Sequence, residues 1–168
     1  MGITSWHART EKLFNFLRQS RYVEKMKSFH VGLAGLIEKN DKFLVLRRSA
    51  DKDFAPDSWE PVTGRLEAEE NPKDGILREI EEETRIKAQV VMPVDTWFLF
   101  RASKEFPMIF IAFWCKHVKG KVKLSWEHSE HKWITLSEAI GEPALQHFHR
   151  CFKRIKKIKQ HLPKDFVL

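Results

Sequence analysis

Apolar and polar blocks alternate along this chain in a pattern that predicts a mixed α/β domain. Two apolar runs, "FHVGLAGLIE" and "KFLVLRRS", flank a short Lys-Asn-Asp turn and are typical of a β-hairpin. Further along, "QVVMPVDTWFLF", "MIFIAFWCKHV", "KVKLSW" and "HKWITL" predict four more strands. Because a helical segment lies between the two groups, we expect an α/β sandwich in which a mixed sheet surrounds one buried central helix and other helices lie outside.

Three segments have the three- and four-residue spacing of apolar positions that indicates helices. The first runs from Ser5 to about Ser28, the second begins at Pro72 with Asn71 as its cap and ends near Thr84, and the third runs from Pro143 to about His161. The third is strongly amphipathic. With 168 residues and no Pro/Gly/Ser-rich linker, the chain predicts one domain: residues 1–28 as a helical extension, 29–140 as the core and 141–168 as a C-terminal helix.

Composition narrows the class of protein but not its activity. No apolar run is long enough to cross a membrane, and the N-terminus has no signal-peptide region, so we expect a cytoplasmic protein with no membrane partner. Cys115 and Cys151 are far apart and lie in apolar segments, which favours buried thiols over a disulfide. The net charge of +7 suits a partner that carries phosphates.

One stretch, from Gly64 to Ile86, concentrates acidic residues in this basic chain. On a helix Glu79, Glu82 and Glu83 share a face, because residues three and four apart are neighbours. Like charges on one face repel, and glutamates near a helix C-terminus oppose the helix dipole. A hard divalent cation such as Mg²⁺ would relieve both effects. The alternative for such a pattern taken alone is a solvated acidic face.

The spacing of the stretch favours the metal site, because it resembles the Nudix box, Gly-x5-Glu-x7-Arg-Glu-U-x-Glu-Glu-x-Gly-U with U apolar. The matching residues are Gly64, Glu70, Arg78, Glu79, Ile80, Glu82, Glu83 and Ile86. Arg85 stands where the motif has its final Gly. A Gly there adopts a left-handed conformation cheaply, so Arg85 predicts either a different helix exit or about 1 kcal/mol of local strain.

The resemblance implies an α/β/α sandwich and hydrolysis of a nucleoside diphosphate linked to another moiety. It implies that Glu79, Glu82 and Glu83 hold Mg²⁺ or Mn²⁺ together with the backbone carbonyl of Gly64, and that Glu67 joins them. Arg78 would pair with Glu70 in a structural role. Arg47 and Arg48 lie where the family places cations for substrate phosphates. Because neighbouring residues of a strand point to opposite faces, we expect at most one of the two to bind phosphate.

Two glutamates compete for the role of general base. Glu79 would lie beside the metal. The segment "EHSEHKW" offers Glu127 and Glu130, and its resemblance to a Glu-His-x-x-Tyr-x-Trp segment of nucleoside polyphosphate hydrolases points to Glu127, for which an exposed loop acid without a catalytic role is the alternative. The histidines of this segment, including His128, are expected at the surface.

The substrate is left open by the sequence. The segment "RASK" carries neither the Pro of ADP-ribose hydrolases nor the Tyr of many dinucleoside polyphosphate hydrolases, and "EPVTG" lacks the coenzyme A marker. Isoprenoid diphosphate isomerases share the fold implied by the resemblance but need a catalytic Cys in the first half of the chain. Both cysteines of this chain lie in its second half, which argues against that activity. The sequence therefore favours (deoxy)nucleoside triphosphates or a non-nucleotide diphosphate, with dinucleoside polyphosphates as an alternative.

The C-terminal helix suggests a second class of function. "HRCFKRIKKIKQ" places six basic residues on one helix without an acid between them, which could track RNA and would suit 5′-end hydrolysis or RNA binding. The alternative is a core-packed helix with a basic outer side. A non-catalytic regulator on the same scaffold is disfavoured, because all three box glutamates are kept. A homodimer is also left open.

Overall fold

The computed structural model of the chain describes residues 29–52, 54–100 and 107–162, which form one mixed sheet with helices on both faces. The N-terminal helix predicted up to Ser28 and the "RASK" segment lie outside the described residues. No helix in the described part of the chain is long and apolar enough to span a membrane. The elements are, in chain order, β1 (His30–Lys39), β2 (Lys42–Arg48), β3 (Trp59–Glu60), β4 (Val62–Arg65), α1 (Pro72–Thr84), β5 (Lys87–Phe100), β6 (Pro107–Lys119), β7 (His128–Thr135), α2 (Leu136–Gly141), a 3-10 helix (Pro143–Phe148) and α3 (His149–His161).

Strand β1 is the centre of the sheet. It pairs in parallel with β6 along nearly its whole length, and antiparallel with β4 and, at its end, with β2. The path β3-β2-β1-β6-β5 is completed by β7, which pairs with β2. A strand covered on both faces is expected to be continuously apolar, and Leu33, Ala34, Leu36 and Ile37 of β1 are all fully buried.

Each face of the sheet carries its own apolar cluster. Beneath α1, the side chains of Ile76 and Ile80 pack on Leu33, Ile37 and the apolar residues of β2. A Cβ added at Gly35 would lie 3.1 Å from both isoleucines, so the absence of a side chain lets α1 approach β1 closely. On the other face, Phe152 and Ile155 of α3 pack with Trp114 and Phe43. The predicted α/β/α sandwich is confirmed.

The predicted helix α1 has the bounds expected from its sequence. The side chain of Asn71 accepts a hydrogen bond of 3.0 Å from the backbone N–H of Lys73, and Pro72 occupies the first turn. The helix ends at Thr84, and Arg85 follows in the left-handed conformation, with φ of 58°. Of the two exits predicted for Arg85, the structure therefore has the strained one.

Two predicted elements differ in the structure. The run "KVKLSW" is not a strand: the N–H groups of Lys123 and Ser125 donate, each at 2.9 Å, to the carbonyl oxygens of Thr84 and Glu83 at the end of α1. The backbone N–H groups of this run therefore find their partners at the end of a helix rather than in a neighbouring strand. The helix predicted over Pro143 to His161 is divided into the 3-10 helix and α3. The loop before the acidic stretch contains the short strands β3 and β4.

Helix α3 is fastened to the sheet by ion pairs as well as by apolar packing. Arg150 and Arg154 both pair with Asp95 of β5, whose carboxylate is buried. Lys159 pairs with the buried Glu38 of β1 and with Asp41 in the turn that follows it. Half of the basic residues that suggested an RNA-binding face are thus paired within the chain. Cys115 and Cys151 are buried thiols on opposite faces of the sheet, as predicted.

Candidate metal and phosphate site

The site begins where β4 passes α1, at a contact that only glycine allows. A Cβ added at Gly64 would overlap the carboxyl group of Glu79. The backbone N–H of the next residue, Arg65, donates to Glu79 Oε1 at 3.0 Å. The strand and the helix are therefore in direct contact through the Glu79 carboxylate, and burial, the largest effect on it, raises its pKa.

Arg78 holds the acidic loop and the helix together. Its Nε and Nη2 donate to the two oxygens of Glu70 at 2.9 and 3.0 Å, and Nη2 also donates to the carbonyl oxygen of Arg65 at 3.0 Å. The Nη1 atom lies 3.1 Å from a carboxylate oxygen of Glu79 and of Glu82. The hydrogen bonds to Glu70 are the main reason why the pKa of Arg78 is raised. Arg78 and Glu70 therefore pair in the bidentate geometry that suits a structural clamp.

Glu83 is the most unusual group of the site. Its side chain is 4% exposed, and its Oε2 has no hydrogen-bond partner in the part of the chain that the structure describes. Burial, followed by the charges of Glu60, Glu79 and Glu127, raises its pKa well above the ordinary range. A buried carboxylate without a partner is costly, because burial removes the water that stabilises its charge. Within the described residues, no donor hydrogen-bonds to Glu83 Oε2 to offset this cost.

Behind Glu83 lies a buried group of polar side chains. Arg48 Nη1 donates to Glu60 Oε1 at 2.6 Å. His128 lies between the two acids, with Nε2 3.6 Å from Glu60 Oε1 and Nδ1 3.9 Å from Glu83 Oε2. Burial would raise the pKa of Glu60, but the proximity of His128 and the hydrogen-bonded Arg48 guanidinium outweigh it and lower the pKa. The expectation that His128 lies at the surface is wrong, since it is buried.

The two other predicted acids, Glu127 and Glu67, lie at the rim. Glu127 forms an ion pair with Lys52, and its carboxylate is partly exposed. Glu67 is exposed, and it contributes a backbone N–H that donates to Glu70 Oε2 at 3.1 Å. The structure thus brings Gly64, Glu70, Arg78, Glu79 and Glu82 into one connected group, and the charges of Glu79 and Glu127 both act on the neighbouring Glu83.

Neither arginine predicted for substrate phosphates is unpaired. Arg47 forms ion pairs with Asp57 at 3.3 Å and with Glu130 at 2.7 Å. Arg48 is buried with Glu60. The pairing register with β7 shifts between the two arginines, so the simple alternation of strand side chains does not hold there. The assignment of Arg47 or Arg48 to phosphate therefore stays a prediction.

The donor chemistry fits a hard divalent cation. Within residues 29–52, 54–100 and 107–162, no group of three His, Cys, Asp or Glu side chains is already arranged to hold a metal ion. Two of the predicted ligands, Glu79 and Glu82, form ion pairs with the Arg78 guanidinium, which keeps their carboxylates from converging on a common point. The buried, unpartnered oxygen of Glu83 and the carboxylates around it are nevertheless oxygen donors of the kind that Mg²⁺ prefers.

Comparison with known proteins identifies the family. The family model described as the NUDIX domain matches residues 26–154. The chain belongs to the Nudix family. It is therefore a hydrolase of a family that acts on phosphoric anhydride bonds of nucleotide-type substrates and in general uses a divalent metal ion.

Similar proteins agree with this membership. A MutT-like protein of Streptomyces ambofaciens is 31% identical over 115 residues, which cover 67% of this chain and 70% of that protein. The bis(5'-nucleosyl)-tetraphosphatase (asymmetrical) of Rattus norvegicus is 31% identical over 86 residues, which cover 48% of this chain and 58% of the rat protein. The crystal structure of the MutT protein from Methanosarcina mazei Go1 has a TM-score of 0.66 and 30% identity, covering 80% of this chain and 98% of that one.

Sequence reasoning missed three residues around the Nudix site: Glu60, Lys52 and the buried His128. Glu60 and Lys52 belong to the loop and short strand between β2 and α1, whose sequence predicts no regular element. The sequence did offer one indication for His128: it directly follows Glu127 in "EHSEHKW", so a site that includes Glu127 places His128 close to it.

Proposed function

We propose that the chain is a Mg²⁺-dependent pyrophosphohydrolase that cleaves a nucleoside diphosphate linked to another moiety, with (deoxy)nucleoside triphosphates as the substrate class and Mn²⁺ as a substitute metal. The proposal rests chiefly on one observation: the buried Glu83 carboxylate has an oxygen without a hydrogen-bond partner among the described residues, and the charges of three other glutamates act on it. In a protein of net charge +7, such a concentration of negative charge suits a cation that is shared with substrate phosphates.

In this proposal Glu79, Glu82 and Glu83 hold the cation, with the Gly64 carbonyl oxygen and Glu67 as further ligands. A bound divalent ion of this kind neutralises charge on phosphate oxygens and lowers the pKa of the attacking water. Arg78 keeps its clamp on Glu70, which fixes the acidic loop against α1. The remaining requirement is positioning for in-line attack at phosphorus, and the close contact between Gly64 and Glu79 supports it.

Glu127 is the better supported general base. Its carboxylate is partly exposed and therefore reachable by water, whereas Glu79 is held by Arg78 and by the Arg65 N–H. To accept a proton Glu127 must loosen its ion pair with Lys52, because that cation stabilises the charged form of the carboxylate. The phosphates of the substrate offer Lys52 an alternative partner.

Release of phosphate or pyrophosphate from a substrate panel tests the proposal. The panel contains nucleoside and oxidised deoxynucleoside triphosphates, dinucleoside polyphosphates, ADP-ribose and 5′-triphosphate RNA, each with Mg²⁺ and with Mn²⁺. We expect Glu82→Gln and Glu83→Gln to abolish turnover while both variants stay folded. Glu81→Gln is the matched control, since Glu81 lies on the same helix but pairs with Lys87.

Metal binding provides a readout that does not depend on turnover. The melting temperature of the wild-type protein and of Glu81→Gln should rise when Mg²⁺ is added, because a ligand that binds the folded state stabilises it. That of Glu83→Gln should rise much less. Wild-type rates in both Glu82→Gln and Glu83→Gln would rule out the metal-site assignment.

A dinucleoside polyphosphate hydrolase is the second candidate. It is favoured by the Glu127-His128 segment and by the similarity to the rat tetraphosphatase. The panel separates the two, because the first candidate predicts higher kcat/KM for a triphosphate than for a dinucleoside tetraphosphate. RNA binding by α3 and homodimerisation stay predictions. For RNA, Arg150, Arg154 and Lys159 are paired within the chain, whereas Lys153, Lys156 and Lys157 are exposed and form no ion pair with the described residues.

A further inference from the structure

Trp126 is a large apolar side chain exposed beside the acidic site. It is 74% exposed, more than any other large hydrophobic residue in the described part of the chain. Exposing an indole ring to water is unfavourable, because burial of its apolar area is worth several kcal/mol in general. Neither of the two apolar clusters uses this ring.

The backbone around Trp126 is held in place from two sides. Ser49 Oγ donates to the carbonyl oxygen of Trp126 at 2.8 Å, and the Ser49 N–H donates to that of Glu127 at 2.9 Å. On the preceding side, the Ser125 N–H donates to the carbonyl oxygen of Glu83 at 2.9 Å. The ring is therefore presented by a fixed turn, whose neighbouring residues reach both Glu83 and the rim of the site.

Lys52 lies between the Trp126 ring and Glu127, the proposed general base. Its Nζ lies 4.4 Å from the centroid of the Trp126 ring and also pairs with Glu127. A cation at that distance interacts favourably with the ring face. Because Trp126 is still largely exposed, the ammonium group covers only part of its surface, and an aromatic ligand can take what remains.

We propose that Trp126 is the stacking surface for the nucleobase of the substrate, and that Lys52, held between the ring and Glu127, faces the substrate phosphates. This inference rests on the proposed nucleotide hydrolase function. A nucleobase fits better than a protein or a lipid surface, because the contacts that the structure shows for Trp126 are with the polar residues Lys52 and Ser49, whereas such partners recognise contiguous apolar patches. Every base has a flat aromatic face, so stacking accepts all bases and favours the larger purines.

Equilibrium binding, measured by calorimetry in the presence of Mg²⁺, tests the inference without relying on turnover. The ligands are α,β-imido analogues of ATP and CTP, and inorganic tripolyphosphate, which has the charge but no base. For Trp126→Ala we expect affinity for the ATP analogue to fall about tenfold or more. Affinity for tripolyphosphate should fall far less, because Lys52 keeps its pairing with Glu127, and Trp126→Phe should recover most of the loss.

Phe98→Ala is the matched control, because Phe98 is also an exposed aromatic residue, 50% exposed, but lies on β5 against Phe29 and Phe100. It should bind both ligands like the wild type. The inference is overturned if Trp126→Ala binds the ATP analogue normally, if it loses both ligands equally, or if the wild-type protein binds the analogue no better than tripolyphosphate. A wild-type protein that binds the analogue through Trp126 but turns over no member of the panel would instead refute the proposed hydrolysis alone.

Discussion

At the scale of single residues, the contact between Gly64 and Glu79 sets the geometry of the acidic site. The strand residue and the helix residue lie so close that no side chain fits between them. The carboxylate that fills this space is fixed by two further donors, the Arg65 N–H and Arg78. A small displacement of a catalytic group is costly for a reaction that depends on alignment.

We therefore expect Gly64→Ala to impair activity far more than stability. The new methyl group would displace the Glu79 carboxylate, which is the far end of a flexible side chain and can move. The free energy of unfolding should fall by no more than about 1–3 kcal/mol, whereas kcat should fall about 100-fold. Steady-state kinetics and urea unfolding measure the two effects.

Gly141→Ala is the control for this prediction, because a Cβ at that position meets nothing within 4 Å. It should leave both quantities near their wild-type values. Wild-type kcat in Gly64→Ala would show that the Glu79 carboxylate needs no fixed position.

At the scale of elements, the end of α1 combines backbone strain with hydrogen bonds from the next segment. The carbonyl groups of Glu83 and Thr84 would lack partners at a helix end, and the Ser125 and Lys123 N–H groups satisfy them. The Arg85 N–H donates to the Glu81 carbonyl oxygen at 2.9 Å in a left-handed cap. This cap is the position at which the family motif has Gly and this chain does not.

Arg85→Gly should stabilise the protein by about 0.5–1 kcal/mol. Glycine adopts a φ of 58° without the steric cost borne by a residue with a Cβ, and part of that gain is offset by the greater freedom of glycine in the unfolded chain. Urea unfolding measures the difference. Arg85→Ala keeps the Cβ and should show no such gain; equal stabilisation by both substitutions would place the effect in the arginine side chain.

At the scale of the whole molecule, buried acids of the sheet hold α3 in place. Glu38 of β1 is almost fully buried, and it pairs with Lys159, with Lys116 at 3.0 Å and with the Trp114 indole N–H at 2.8 Å. Lys159 also reaches Asp41 at 2.6 Å. Removing one partner from such a network is costly, because the remaining buried charge loses part of its compensation.

Lys159→Gln should lower the free energy of unfolding near neutral pH by about 1–2 kcal/mol and change how stability depends on pH. Burial would lower the pKa of Lys159, but hydrogen bonds to Asp41 and Glu38 outweigh it and raise the pKa above 10.5. A raised pKa means that the contribution is complete below 10.5 and is lost as the pH rises through the folded-state value. The hydrogen bond from Lys159 lowers the pKa of Asp41 from 3.8, so its contribution is lost at the acid end, below about pH 3.8.

Urea unfolding across the pH range checks this prediction. The wild-type protein should lose stability at both ends more steeply than Lys159→Gln, which lacks both contributions. Lys153→Gln is the control, because Lys153 is an exposed lysine of the same helix. Parallel pH profiles for the wild-type protein and Lys159→Gln would contradict the prediction.

The prediction of elements from the sequence succeeded where local patterns and local partners agree. The cap at Asn71, the first-turn Pro72 and the buried face of α1 are decided by neighbours along the chain, and the structure confirms them. The run "KVKLSW" failed because its alternation is compatible with a strand, while its hydrogen-bond partners are the distant carbonyl groups of α1. The expectation that His128 lies at the surface was wrong for the same reason, since it is buried beside Glu60 and Glu83, which lie far away in sequence.

By itself, the sequence determined the family and predicted the acids of the candidate site, because the motif spacing places Glu79, Glu82 and Glu83 on one face of a helix. Only the tertiary structure decided the state of each group: Glu83 buried with an unpartnered oxygen, Glu79 and Glu82 held by Arg78, and both candidate phosphate arginines already paired. It also decided that Trp126 stands exposed next to Glu127. The physical reason is that helical periodicity acts between neighbours, whereas burial and ion pairing depend on which distant segments the sheet brings together.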